Sequence, residues 1–117
     1  GNQLRDVLHV NDLLRLINTQ IKNFNKINNK KFCVGGSTTS YTSLKNLTSI
    51  CEKVTGNKIK FKKQKKTSIY DIPYYLTDNS YIRKTYKWSP KKNIMDIVKD
   101  TYKWLIENKK ELIKTQN

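Results

Sequence analysis

Arg5-Asp6-Val7-Leu8-His9-Val10-Asn11-Asp12 is the stretch on which the reading of this 117-residue chain turns. Val7, Leu8 and Val10 bring β-branched and apolar bulk, so residues 5–10 read as a buried strand. Asn11 or Asp12 then offers a side-chain oxygen to the first N–H groups of a helix running from residue 12 to about 27. Its apolar positions are Leu13, Leu14, Leu16, Ile17, Ile21 and Phe24. A strand with charged residues at its mouth needs neighbouring strands, and almost nothing precedes it. The chain therefore reads as the second half of something larger.

Strand and helix alternate along the rest. Phe32-Cys33-Val34 reads as a short buried strand, broken by Gly35-Gly36, where a turn would need backbone angles closed to other residues. Hydroxyl-rich residues 37–43 lead into a helix carrying Leu44, Leu47, Ile50 or Cys51, and Val54, with Gly56 as its stop. Lys58-Ile59-Lys60-Phe61-Lys62 alternates as an edge strand does, and a basic loop follows. Residues 69–78 form an extended stretch interrupted by Pro73. Asp78 or Ser80 then caps a short helix through Tyr86, and Trp88-Ser89-Pro90 ends it. A last helix over about 92–114 places Ile94, Ile97, Val98, Thr101, Leu105 and Leu112 on one face, with Trp104 beside it. The fold class is α/β, in one incomplete domain spanning 1–117.

The net charge of +15 invites a small basic module that binds nucleic acid or another polyanion, and the lysine run from Lys58 to Lys66 is its best candidate. Only Arg5, Arg15 and Arg83 are arginines, however, and planar recognition of phosphate or base edges favours arginine. The lysines also keep company with Asn and Ile, as AT-rich coding sequence dictates, so the charge reads as a solvated coat and nucleic acid is not the expected partner. No apolar run approaches the roughly 20 residues of a membrane span and no signal peptide is visible, which favours a cytoplasmic protein without membrane contact. Cys33 and Cys51 lack the paired spacing of metal or redox sites and read as small core residues, so no metal is expected. His9 reads as packed rather than catalytic, and Trp88 and Trp104 as core anchors.

Four segments carry a resemblance: Arg5 to Leu13; Phe32-Cys33-Val34-Gly35-Gly36 with the serine-rich helix start after it; Asp71-Ile72-Pro73 leading to Tyr75-Leu76-Thr77-Asp78; and Tyr86-Lys87-Trp88-Ser89-Pro90 before the final helix. In this order and spacing they resemble the C-terminal, substrate-binding portion of the extended short-chain dehydrogenases/reductases, the NAD-dependent nucleotide-sugar epimerases and dehydratases. Within them the likeness is to the CDP-paratose/CDP-tyvelose 2-epimerase branch. The resemblance implies part of a Rossmann-type enzyme whose N-terminal dinucleotide-binding half is missing here.

What the resemblance implies for individual residues is specific. Arg5 matches an arginine that contacts the nucleotide-sugar diphosphate, a task its fixed fork suits; otherwise it pairs with Asp6 or Asp12 at the strand end. Asp71 matches an acid that accepts ribose hydroxyls; otherwise it caps the Tyr70-to-Pro73 turn. Relatives often carry a second phosphate-binding arginine where this chain has Ser68, so Ser68 and Lys66, or Lys65, are the candidates for that corner, without a bidentate clamp. The glycine usual before the acid is Tyr70. Tyr41-Thr42-Ser43-Leu44-Lys45 matches the Tyr-x-x-x-Lys spacing of the superfamily's catalytic pair but falls where relatives have no catalytic residues, so no catalytic residue is assigned. Gly35-Gly36 is too short for a dinucleotide fingerprint. The chain alone is thus expected neither to hold NAD nor to turn over substrate. Its expected partners are a nucleotide sugar and the missing Rossmann half, in cis or in trans, with a homodimer left open.

Overall fold

Three short strands meet because their flanking loops bring distant residues into one ladder. In the computed structural model, which describes residues 1–25, 29–62, 68 and 70–114, β1 (Leu4–Asp6) is the central strand. β2 (Tyr41–Ser43) pairs with it antiparallel, Arg5 facing Thr42. β3 (Tyr74–Tyr75) pairs with it parallel, Arg5 facing Tyr75. The ladder gains one bond at each end, from Leu4 N–H to the Pro73 carbonyl and from Val7 N–H to the Ser40 carbonyl. Pro73, with no N–H to give, sits where only its carbonyl is needed.

The first strand is shorter than residues 5–10, because its continuation is taken over by a helix. α1 (Val10–Lys22) is capped by His9 rather than by Asn11 or Asp12: the Asn11 N–H donates to His9 Nδ1 at 3.0 Å. Asp12 serves elsewhere. Its carboxylate accepts from Arg15 at 2.7 Å and from the backbone N–H groups of Lys91 and Lys92 at 2.9 Å each, and its carbonyl accepts from the Trp88 indole at 3.1 Å. Arg15 also donates to the Ser89 carbonyl at 2.6 Å and lies over the Trp88 ring. One turn of α1 is thereby locked to residues 88–92. Around the lock lies the core of Leu16, Ile82 and Trp88, with Leu8, Phe32, Val34 and Tyr86 packed against it.

Phe32-Cys33-Val34 is extended but joins no ladder. The Asn79 side chain stands in for a neighbouring strand, accepting from Gly35 N–H at 3.1 Å and donating to the Gly35 carbonyl at 2.9 Å. Phe32 and Val34 turn inward, the Phe32 ring stacking on Tyr81 at 5.0 Å, whereas Cys33 between them faces solvent and is not a core residue. Cys51 is half-buried. Gly35 and Gly36 are needed for space rather than for left-handed angles. A Cβ on Gly35 would collide with Thr77 and Asp6, and one on Gly36 with the Val7 and Ser40 carbonyls.

The remaining helices follow their caps. α2 (Leu44–Thr55) starts at Ser43, whose hydroxyl accepts from Asn46 N–H, and ends at left-handed Gly56. Residues 58–62 form no strand, since no partner strand lies beside them among the described residues, and Ile59 and Phe61 are exposed. α3 (Ser80–Tyr86) has Asn79 at its cap position, but Asp78 accepts the Ser80 N–H because the Asn79 amide is engaged with Gly35. The final segment is two helices, α4 (Ile94–Glu107) and α5 (Lys109–Lys114), divided at Asn108. A reciprocal capping box between Asn93 and Asp96 opens α4. Val98 of α4 is buried, but Trp104 is 53% exposed and anchors no core. Among the described residues no helix is long and apolar enough to cross a membrane.

Candidate functional site

Arg5 occupies the middle of β1, and the ladder delivers Asp71 to it across 66 residues of chain. The parallel pairing of β1 with β3 places residue 71 beside the start of β1, so that Arg5 Nη2 donates to Asp71 Oδ1 at 3.0 Å. Gln3 lies two residues before Arg5, hence on the same strand face, and its Nε2 donates to Asp71 Oδ2 at 2.7 Å. Arg5 Nη1 is fixed by the Leu4 carbonyl at 2.7 Å. The side chains of Arg5 and Asp71 stay 42% and 34% exposed, so the pair is half-exposed to solvent. A guanidinium has five N–H donors, and the bonds named here use two of them. Each Asp71 oxygen likewise retains acceptor capacity. The site can therefore take an anion on Arg5 and hydroxyls on Asp71 without first breaking its own bonds.

Of the four residues singled out, Arg5 and Asp71 are brought together. Asp6 and Asp12, the alternative partners for Arg5, are both engaged elsewhere, Asp6 accepting the Ser37 N–H at 2.7 Å. Ser68 belongs to the turn that presents Asp71: its carbonyl accepts the Asp71 N–H at 3.1 Å and its hydroxyl the Tyr70 N–H at 3.3 Å. That leaves the backbone of Asp71, rather than its carboxylate, as the turn-forming group. Lys66 and Lys65 lie outside the described residues. Gln3 was missed by sequence reading, although its i−2 relation to Arg5 on a strand was the available signal.

Other ionisable groups have structural partners. His9 is buried, with Nδ1 engaged in the α1 cap and Nε2 3.3 Å from Asp100 Oδ2, in keeping with a packed residue. The Lys92 ammonium, 2.9 Å from the same oxygen, is the main cause holding the Asp100 carboxyl below its ordinary range. For Asp12, burial pushes the carboxyl up. The Lys92 N–H, Arg15 and the Lys91 N–H together outweigh that and hold it below its ordinary value. Tyr41 and Lys45 stand on β2 and α2, respectively. The Gly35-Gly36 turn does not fit a dinucleotide phosphate. The Gly35 and Ser37 N–H groups are already bonded to Asn79 and Asp6, and the Asp6 carboxylate would face the anion.

The fold and site thus define a mixed α/β chain with a small three-stranded sheet, its helices, and a half-exposed arginine–aspartate pair between the central strand and the turn before β3. No family model matches the chain. It is similar to the CDP-paratose 2-epimerase of Salmonella typhi, 31% identical over 104 residues that cover 89% of this chain and 30% of that protein. The chain spans less than a third of that relative's length.

Proposed function

We propose that this chain is the substrate-binding part of an NAD-dependent nucleotide-sugar epimerase or dehydratase of the extended short-chain dehydrogenase/reductase type. The observation that carries the proposal is the meeting of Arg5 and Asp71, each singled out for a nucleotide sugar, in one half-exposed site held by Gln3. The similarity to a CDP-paratose 2-epimerase along nearly the whole chain supports it. In this reading the spare Arg5 donors hold the diphosphate and Asp71 accepts ribose hydroxyls, fixing the sugar relative to chemistry performed elsewhere. NAD, which would take up and return a hydride, is held outside this chain. Ser68 shapes the Asp71 turn.

Calorimetric titration with CDP tests the proposal. Saturable binding is expected, with Arg5→Ala weakening it about tenfold or more, as loss of a charge-assisted bond dictates. Asp71→Asn should weaken CDP more than inorganic diphosphate, which has no ribose. The absence of CDP binding, or equal affinity in wild type and Arg5→Ala, would sink the assignment.

A further inference from the structure

An arginine and an aspartate with nothing else to hold them commonly meet fork to fork, two parallel N–H···O bonds joining one guanidinium to both carboxylate oxygens. Arg5 and Asp71 do not. The hydrogen bond between them runs from Nη2 to Oδ1 at 3.0 Å, whereas Oδ2 accepts from the Gln3 amide and Nη1 donates to the Leu4 carbonyl, each at the shorter distance of 2.7 Å. Chemistry fixes the orientation of that amide, since only its nitrogen has hydrogens to give a carboxylate. The pair at Asp12 follows the same pattern: Oδ1 accepts from Arg15 while Oδ2 receives the N–H groups of Lys91 and Lys92. An aspartate whose second oxygen is taken by another donor thus offers its arginine one bond. Gln3 is well placed to be that donor. The backbone is tied on either side of it, the Gly1 carbonyl accepting from Lys45 N–H and Leu4 N–H donating to the Pro73 carbonyl, both at 3.0 Å.

We infer that Gln3 is a positioning residue of the anion site: by occupying Asp71 Oδ2 it holds the arginine–aspartate pair to a single bond, and Arg5 keeps the N–H groups that a diphosphate needs. The ligand in this inference rests on the nucleotide-sugar reading, while the geometry of the pair does not. With Gln3 cut back to alanine, Oδ2 loses its donor, and the adjoining group with hydrogens to spare is Arg5. The carboxylate then turns its second oxygen onto the same guanidinium, and the two groups satisfy each other instead of a ligand. A phosphate oxygen arriving at Arg5 must break a bond that is absent from the wild type. Gln3 itself touches neither phosphate nor ribose in this scheme and acts through Asp71.

Two measurements test this, one without ligand and one with it. A crystal structure of Gln3→Ala should show Arg5 and Asp71 joined by two hydrogen bonds; a pair still joined by one, with Oδ2 left to water, would overturn the inference whatever the ligand. In calorimetric titration, inorganic diphosphate should bind Gln3→Ala about fivefold more weakly than wild type, the worth of one partly exposed ion-pair bond. Far-UV circular dichroism should be unchanged, because the backbone bonds of Gly1 and Leu4 do not involve the substituted side chain. Adding Asp71→Ala to Gln3→Ala removes the carboxylate that closes on Arg5, and should restore diphosphate binding to wild-type strength or better. A Gln3 that merely supported the fold would not be rescued by removing its own partner. Equal diphosphate affinity in wild type and Gln3→Ala, or a double variant as weak as Gln3→Ala, would overturn the inference. A wild type that binds neither diphosphate nor CDP would instead sink the nucleotide-sugar reading, and the holding of the pair by Gln3 would then stand or fall on the crystal structure.

Discussion

The molecule contains two arginine–aspartate pairs that use the same chemistry to different ends. Arg15 and Asp12 approach to 2.7 Å with side chains 35% and 4% exposed, while Arg5 and Asp71 approach to 3.0 Å with side chains 42% and 34% exposed, so the pairs differ in the burial of the aspartate. In the first pair the aspartate also takes two backbone N–H groups, and the arginine also takes a carbonyl and a tryptophan face. In the second pair the arginine likewise makes two hydrogen bonds, but the Asp71 carboxylate takes only Arg5 and Gln3 and no backbone N–H. A buried aspartate that holds backbone N–H groups as well as an arginine fixes structure because removing it strands its donors, whereas a half-exposed pair without such backbone bonds contributes less to stability and stays open to a ligand.

The sharpest way to break this comparison is at the shared support of the inner pair. Trp88 is 2% exposed, fills the core beside Leu16 and Ile82, and donates to the Asp12 carbonyl. Trp88→Ala should lower unfolding free energy by about 3–5 kcal/mol, read from the denaturant midpoint. A loss below about 1 kcal/mol would mean that the core does not depend on this ring.

Next in size is the inner aspartate. Asp12→Ala leaves two backbone N–H groups and the Arg15 guanidinium without their acceptor, and should cost about 2–3 kcal/mol at pH 7. The direction of its titration adds a pH signature. The folded-state carboxyl lies below the ordinary aspartate value of 3.8, so its stabilisation is complete above that value and is lost as pH falls through the folded pKa. Asp78 and Asp100 are shifted the same way and add to acid lability. Stability measured from about pH 5 to 2 should therefore fall less steeply in Asp12→Asn than in wild type. Parallel slopes would contradict the role given to Asp12.

These two regions were unequally readable from sequence. The outer pair was foreseeable as two separate residues, because family resemblance marks Arg5 and Asp71 without saying that they touch. Their contact depends on a parallel register between β1 and a two-residue strand, which no periodicity announces. The inner lock was missed because Asp12 has the ordinary look of a helix cap, and only the fold shows His9 taking that task. Likewise Asn79 imitates a strand neighbour for Gly35, so residues with strand character at 32–34 need no ladder. Trp104 and Cys33 were misassigned to the core for the same reason: apolar character says that a residue favours burial, not that a small core has room for it.

The smallest expected stability effect is the one that carries functional weight. If the outer pair is open to ligand, Arg5→Ala should change unfolding free energy by less than about 1 kcal/mol, since a half-exposed pair screened by water loses little when broken. Gln3 continues to hold Asp71, and the Pro73 and Ser40 carbonyls continue to hold the strand, so the site frame survives the substitution. The informative comparison is with Asp12→Ala under identical conditions. A loss as large as the inner pair's would make Arg5 a structural residue and remove the reason for its spare donors. A near-silent stability effect combined with weakened CDP affinity would separate the two pairs as the geometry does: one arginine held by the fold, the other presented by it.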